Sequence, residues 1–230
     1  MQEPFLRPQL DWEQIESYHI RTAILNALKS ALPEIEGVVL DIGCGSQPYK
    51  SVILGASGKV KSYIGIDLIV SHYPSPNVGW DGVHLPLASD SVNCAILTEV
   101  LEHCPEPVDL LSEVNRVMTP GGLLFLTVPF LWHLHDIPFD EYRYTPFALR
   151  RMLSKAGFTQ IDLTAHGGWD ASLAQMIALW AKLRPMAGCN RLLVSRVALP
   201  VVNYLLRKDR VYGFWGMITG ISGQARKPQV

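Results

Sequence analysis

The chain has 230 residues, 48% hydrophobic and 18% charged, which supplies enough apolar side chains for one folded unit and excludes disorder on a large scale. Its 20 Lys and Arg against 21 Asp and Glu leave a formal charge of −1, so no global field selects nucleic acid as a partner. The four cysteines, Cys44, Cys94, Cys104 and Cys189, lack paired C-x-x-C spacing, as expected in a reducing cytoplasm. The first residues show no basic start followed by an apolar run, so no secretory signal is expected. Lys182, Arg184, Arg191 and Arg196 interrupt the most apolar region before it reaches the roughly 18–20 residues that a membrane span needs.

Apolar residues from Ile20 to Leu32 recur at helical spacing and Pro33 closes the run, so a leading helix is expected over residues 11–32. Val38-Val39-Leu40-Asp41-Ile42 reads as a buried strand running into the turn Gly43-Cys44-Gly45-Ser46. Tyr63-Ile64-Gly65-Ile66-Asp67 repeats the design, a short apolar strand ending on an acid. Residues 92–97 and 123–128 are further strands, with a helix over 108–118 and a turn at Pro120-Gly121-Gly122 between them. A helix over 147–156 ends at Gly157, and residues 158–163 follow as a strand. Residues 172–207 then read as two amphipathic helices separated at 185–190, and the glycine-rich residues 212–222 as a last strand. Strands alternating with helices imply a mainly parallel sheet covered on both faces.

In such a sheet a ligand binds beyond the carboxyl ends of the strands, where the crossover direction reverses. Gly43 and Gly45 remove Cβ atoms where the chain turns sharply, Asp41 can accept hydrogen bonds through the turn, and Asp67 can take the hydroxyls of a ribose. Pro48 stands where a dinucleotide fingerprint has its third glycine, which disfavours a pyrophosphate there, although proline is tolerated in a first helical turn.

Five segments in order, Val39-Leu40-Asp41-Ile42-Gly43-Cys44-Gly45, Gly65-Ile66-Asp67, Asp81 ahead of Leu85-Pro86-Leu87, Glu99-Val100-Leu101-Glu102-His103 and Arg116-Val117-Met118-Thr119-Pro120-Gly121-Gly122, resemble the motifs of class I S-adenosylmethionine-dependent methyltransferases, type 11-like. The resemblance covers about residues 37–163. It implies an α/β fold: a doubly wound, Rossmann-like, mostly parallel seven-stranded sheet, here with a C-terminal helical insertion before the last strand. It also implies S-adenosylmethionine as cofactor, with Asp41, Gly43, Cys44 and Gly45 bordering its amino-acid part. Asp67 would hold the ribose, Leu68 would pack on the adenine, Asp81 with Gly82 would face the adenine amino group, and Thr98 and Glu99 would line the donor near the fourth strand. The other readings of these residues are a solvated loop acid for Asp81 and a helix-start carboxylate for Glu99.

Residues 129–145, after the fifth strand, are dense in titratable and aromatic groups on the same rim. A similar stretch recurs in methyltransferases resembling those of cell-surface glycan and natural-product clusters, which implies a small-molecule or glycan or lipid-linked acceptor, methylated at oxygen. His135, with Asp140 orienting it, is the expected general base, and His103 either shares that role or holds a turn. Arg143 would grip an acceptor anion or form an internal salt bridge, and Tyr142 and Tyr144 would stack on the acceptor or pack. His133-x-His135-Asp136 lacks the further ligands of a metal site, and no metal is expected.

The domain division expected is a helical segment over 1–36, the donor-binding core over 37–165, the insertion over 166–211 and the final strand with its tail over 212–230. The insertion's stripes, Leu173, Met176, Ile177, Trp180 and Leu183, then Leu192, Leu193, Val197, Val201, Leu205 and Leu206, are expected to pack on the core or on another subunit. A lipid surface at the inner membrane face is the other reading for them. Gly167-Gly168-Trp169 would be a hinge at the entry. A donor-binding module without turnover, a nicotinamide oxidoreductase and an RNA methyltransferase remain alternatives.

Overall fold

The computed structural model describes residues 3–55, 58–69 and 77–229. The strands are β1 (Gly37–Ile42), β2 (Val60–Leu68), β3 (Val78–Trp80), β4 (Val92–Thr98), β5 (Met118–Pro129), β6 (Thr159–His166) and β7 (Gly220–Arg226). The helices are α1 (Glu3–Leu6), α2 (Tyr18–Ala31), α3 (Lys50–Gly55), α4 (Pro107–Val117), α5 (Pro146–Lys155), α6 (Trp169–Leu183) and α7 (Gly188–Lys208). Among the described residues the strands make one seven-stranded sheet in the order β3-β2-β1-β4-β5-β7-β6. β1 to β5 pair in parallel, and β7 runs antiparallel between β5 and β6. From β1 the sheet grows first toward β3 and then, after β3, toward β4, so the crossover reverses between β1 and β4 and opens a crevice at their carboxyl ends.

Period-two alternation assigns each strand residue to a layer. Val39, Cys94, Ile96, Leu123 and Phe125 pack with Ile20, Ile24 and Leu28 of α2. Leu40, Ile42, Ala95, Leu97, Leu124 and Leu126 face the other way, onto Leu110, Leu111 and Val114 of α4 and Leu149 and Leu153 of α5. Local signals end the helices. Thr145 caps α5 by accepting the Ala148 N–H at 3.2 Å, Pro146 opens it, and Gly157 at φ +90 leaves it. Arg116, inside one of the motif segments, is structural: it donates to the Leu85 and Leu87 carbonyls at 3.0 and 2.9 Å, tying the loop before β4 to α4.

Several boundaries differ from expectation. The leading helix starts at Tyr18 rather than near residue 11, and Pro48 lies in a turn before α3. The short strand β3 was not anticipated, because three residues carry no period. Pro120-Gly121-Gly122 lies inside β5 instead of at a turn; a register irregularity opposite Val92 and Cys94 and Gly121 at φ +77 accommodate it. The last strand is Gly220–Arg226, so residues 212–219 are outside it, and only there do backbone partners on both β5 and β6 exist.

The insertion packs mainly through small residues, joined by Ile177, Leu205 and Leu206 of the expected stripes. Ala174, Ala178 and Ala181 of α6 meet Ala198 and Val202 of α7 and Ile15 from the N-terminal segment. Lys182 Nζ donates to Trp12 O at 2.8 Å and Gln175 Nε2 to Glu16 O at 2.7 Å, so the segment before α2 is bound to this helical pair. Leu173, Met176, Trp180 and Leu183, with Leu192, Leu193, Val197 and Val201, are exposed. Alanines let the helix axes approach closely, and this displaces the large side chains to the outside. At the entry, Asp209 accepts the Gly168 and Ala171 N–H groups, each at 2.9 Å, which pins the expected hinge. No described helix is long and apolar enough to cross a membrane.

Candidate active site

The turn after β1 lies against the end of β2. Gly43 and Gly45 have φ +65 and +50, and a Cβ on Gly43 would stand 2.6 Å from Val100 Cγ2, so a side chain there meets both backbone strain and a clash. The Gly45 N–H donates to Asp67 Oδ2 at 2.6 Å, while Asp67 Oδ1 accepts the Leu68 N–H at 2.7 Å. Expectation gave the turn's hydrogen bonds to Asp41; the structure gives this one to Asp67 instead. Asp41 faces the α2 layer, where the Tyr63 hydroxyl on β2 donates to its Oδ2. Its Oδ1 is buried with no partner, and burial pushes the carboxyl up to about 7, with the Asp67 charge adding to the rise. The Cys44 thiol is buried in the space that a Cβ on Gly65 would fill, and is pushed up to about 12 by burial, so only the main chain of Cys44 lines the turn.

Leu68 is 42% exposed at the tip of β2, and its Cδ2 lies against Gly82, which has φ +89. Asp81 is exposed and accepts the Val83 and His84 N–H groups at 2.8 and 3.0 Å, bonds that hold its carboxyl below the usual range. At the tip of β4, half-buried Thr98 is followed by Glu99 at φ +54, and Thr127 of β5 grips Glu99 twice. The Glu99 N–H donates to Thr127 O at 3.1 Å, and Thr127 Oγ1 donates to Glu99 Oε1 at 2.7 Å. Burial pushes the Glu99 carboxyl up to about 7. Glu99 is thus fixed by a side chain on the next strand, not by a helix start.

The loop after β5 completes the rim. The Asp140 side chain is 1% exposed and takes both Arg143 nitrogens, Nη1 on Oδ1 at 2.5 Å and Nη2 on Oδ2 at 2.8 Å. This guanidinium holds the Asp140 carboxyl far below the carboxylate range. Arg143 also donates to the Tyr142 and His133 carbonyls at 2.8 and 3.2 Å, so it forms the internal salt bridge left open in the sequence, and its fork is not offered to an acceptor. Asp140 Oδ2 further meets His135 Nδ1 and the His135 N–H, each at 3.0 Å. His103 Nδ1 lies 3.1 Å from Phe139 O, its ring packs edge-on to His135 at 4.8 Å, and burial lowers its pKa. Tyr144 is buried and donates to Leu101 O at 2.7 Å, so of its two expected roles it packs rather than stacking on an acceptor. Tyr142 stacks on it and donates to Pro105 O at 3.0 Å.

A model of the methyltransferase domain family matches residues 12–163, more than half of the chain. The chain belongs to this family. A protein of Mycobacterium leprae (strain Br4923) described as an uncharacterized methyltransferase is 32% identical over 177 residues, covering 66% of this chain and 64% of the relative. A Mycobacterium sp. (strain KMS) protein with the same description is 29% identical over 170 residues, covering 64% and 66%. The chain therefore spans just under two thirds of the length of these curated relatives. Solved structures show the same fold. An S-adenosylmethionine-dependent methyltransferase from Archaeoglobus fulgidus superposes with a TM-score of 0.55 at 17% identity, covering 98% of this chain and 97% of that one. The cyclase SpnF gives 0.59 at 19%, covering 93% and 84%.

S-adenosylmethionine is the cofactor of this methyltransferase family, and the feature of the β1 end that fits it is the buried Asp41 oxygen without a partner. Three residues here escaped the sequence reading. Tyr63 and Thr127 hold the two acids Asp41 and Glu99 from neighbouring strands, and no local spacing marks such a pair. Glu102 was visible within the Glu-x-x-Glu-His segment but given no role. It is fully buried, and its main-chain carbonyl accepts the Glu141 and Tyr142 N–H groups at 2.9 and 3.2 Å, joining the loops after β4 and β5.

Proposed function

We propose that this chain moves a methyl group from S-adenosylmethionine to an oxygen of a small-molecule or glycan-linked acceptor seated between the loops after β4 and β5. The observation that carries the reading is the His135 imidazole, held through Nδ1 by an Asp140 carboxylate that Arg143 locks in place. Bound S-adenosylmethionine supplies a methyl carbon already activated by its sulfonium, so the protein's task is alignment and removal of the acceptor proton. An oriented imidazole on the rim serves a hydroxyl, which must lose a proton as its oxygen bonds the methyl carbon and the carbon–sulfur bond breaks. An acceptor that is already a free nucleophile has no use for it. With Nδ1 tied to Asp140, Nε2 of His135 is the atom that takes the proton, and His103 beside it lines the same corner.

In this reading Asp67 holds the ribose, Leu68 and Gly82 flank the adenine with Asp81 at its amino group, and Gly43, Gly45 and the Cys44 main chain border the amino-acid part. Thr98 and Glu99 line the donor at β4. The apolar side chains that α6 and α7 turn outward support a lipid-linked form of the acceptor, or contact with a membrane face or a second subunit, more than they support a freely diffusing acceptor. The test is to incubate the full chain with methyl-labelled donor and fractionated bacterial extract, then identify the labelled product by mass spectrometry. Label in a methoxy group of a small or glycan fraction is expected, and label confined to RNA or protein overturns the reading. Changing His135→Ala should slow transfer far more than it weakens donor binding.

A further inference from the structure

The same corner carries a second feature. One ligand atom from each of Glu102, His103 and His135 lies within 4.8 Å of the others. Glu102 is 0% exposed, yet neither of its carboxylate oxygens has a hydrogen-bond partner. His103 Nε2 stands 3.7 Å from Glu102 Oε1, too far for a hydrogen bond. It is within a few tenths of the roughly 3.4 Å between ligands of a tetrahedral ion with bonds near 2.1 Å. A buried carboxylate without partners is costly. Arg143 acts on Glu102 from a distance, but its nitrogens are spent on Asp140 and on carbonyls.

The two histidines are prepared in the way that metal ligands are. Each has its Nδ1 engaged, His103 with the Phe139 carbonyl and His135 with Asp140, which sets the Nδ1–H tautomer and leaves both Nε2 lone pairs free. Arg143 in turn orients the carboxylate behind His135. Two loops converge here: the loop after β4 supplies two ligands, the loop after β5 the third, and the Glu102 carbonyl fastens one loop to the other.

We propose that Glu102, His103 and His135 bind one divalent transition-metal cation, of the zinc or manganese class, with its remaining positions open to the acceptor cleft. Two imidazoles and one carboxylate suit borderline ions, and three protein ligands leave room for an oxygen from water or substrate. His133 and Asp136, the neighbours that spacing alone would recruit, are not part of the group. The role of the ion rests on the oxygen-methylation reading. A hydroxyl bound to the cation would become more acidic, so the metal-loaded site would release the proton to solvent, whereas the metal-free site leaves Nε2 of His135 to take it.

The experiment titrates the full chain with Mn²⁺, followed by loss of the free-ion paramagnetic resonance signal, and with Zn²⁺ by calorimetry. One ion per chain is expected. His103→Asn and Glu102→Gln should weaken binding at least about 100-fold, Asp140→Asn about 10- to 100-fold, and His133→Asn little. Binding of S-adenosylhomocysteine to each variant verifies the fold independently of the metal, and if Glu102→Gln does not fold, His103→Asn carries the test. Absence of saturable binding of either ion, or binding unchanged in His103→Asn, overturns the site. Methyl transfer without metal binding would leave the proposed function standing and remove only this inference. Metal binding without transfer to any oxygen would do the reverse.

Discussion

Asp67 Oδ2 accepts the Gly45 N–H at 2.6 Å, so the acid at the end of β2 shapes the turn after β1. Changing Asp67→Ala should therefore remove a charge-assisted bond of about 1.5–3 kcal/mol together with any bonds to the ribose. Affinity for S-adenosylhomocysteine is expected to fall by about 10- to 100-fold or more, since about 1.4 kcal/mol is a factor of ten. Calorimetry measures this, and an unchanged affinity would contradict the assignment.

Gly43→Ala places a Cβ 2.6 Å from Val100 Cγ2 at φ +65. The conformational term alone is about 1–2 kcal/mol. For a chain of this size that lowers the melting midpoint by a few degrees, with the steric term added. The double change Gly43→Ala with Val100→Ala should remove the steric part and leave the conformational part. If the pair is no better than the sum of the single changes, the clash is not the cause.

Arg143→Lys keeps the charge but loses the two-pronged grip on Asp140 and the carbonyl bonds. A cost of about 1–3 kcal/mol is expected, below the full value for a buried pair because Arg143 is 23% exposed. Urea unfolding of Arg143→Lys, Asp140→Asn and the double variant gives the coupling. Additive effects would mean that the pair is only a surface contact.

His19 of α2 and His166 at the end of β6 meet around Thr219. The Thr219 hydroxyl donates to the His166 carbonyl at 2.9 Å, so the His19 Nε2–H must donate to Thr219 Oγ1, also at 2.9 Å. Burial lowers both imidazoles from 6.5 to about 4, against the opposing pull of Asp209 on His19. Between these values the unfolded chain binds protons that the folded chain does not. This contribution is therefore complete above pH 6.5 and is lost as pH falls toward 4, by at most about 1.4 kcal/mol per pH unit per histidine. Asp41 and Glu99, pushed up to about 7, carry the opposite slope, so the measurement is a difference. His166→Gln should lose less stability than the native chain between pH 6.5 and 4.5 in urea titrations. Parallel profiles would refute the claim.

The alternation of strands and helices, the turn at Gly43-Cys44-Gly45 and the acid at Asp67 were legible in the sequence because each is a local pattern. Apolar period, missing Cβ atoms and strand-end carboxylates lie within a few residues of one another. Three-residue β3 was not, and β7 was expected as a last strand but with other bounds, because partners on β5 and β6 set where it runs. The α6–α7 pair shows the limit of pattern. Its large apolar stripes were visible, but the choice to pack through alanines depends on how closely two helices and the N-terminal segment approach.

Local periodicity and steric permission along the chain already carry the alternation of strands and helices, the order of the motifs and the place of the glycine turn after β1. Packing across the chain is what fixes which acid bonds which loop, that Arg143 belongs to Asp140, and that Glu102 stands unpartnered beside two histidines from different loops. Those relations join residues far apart in the chain. Their geometry is set when packing brings β1, β4 and β5 side by side, and no spacing along the chain encodes it.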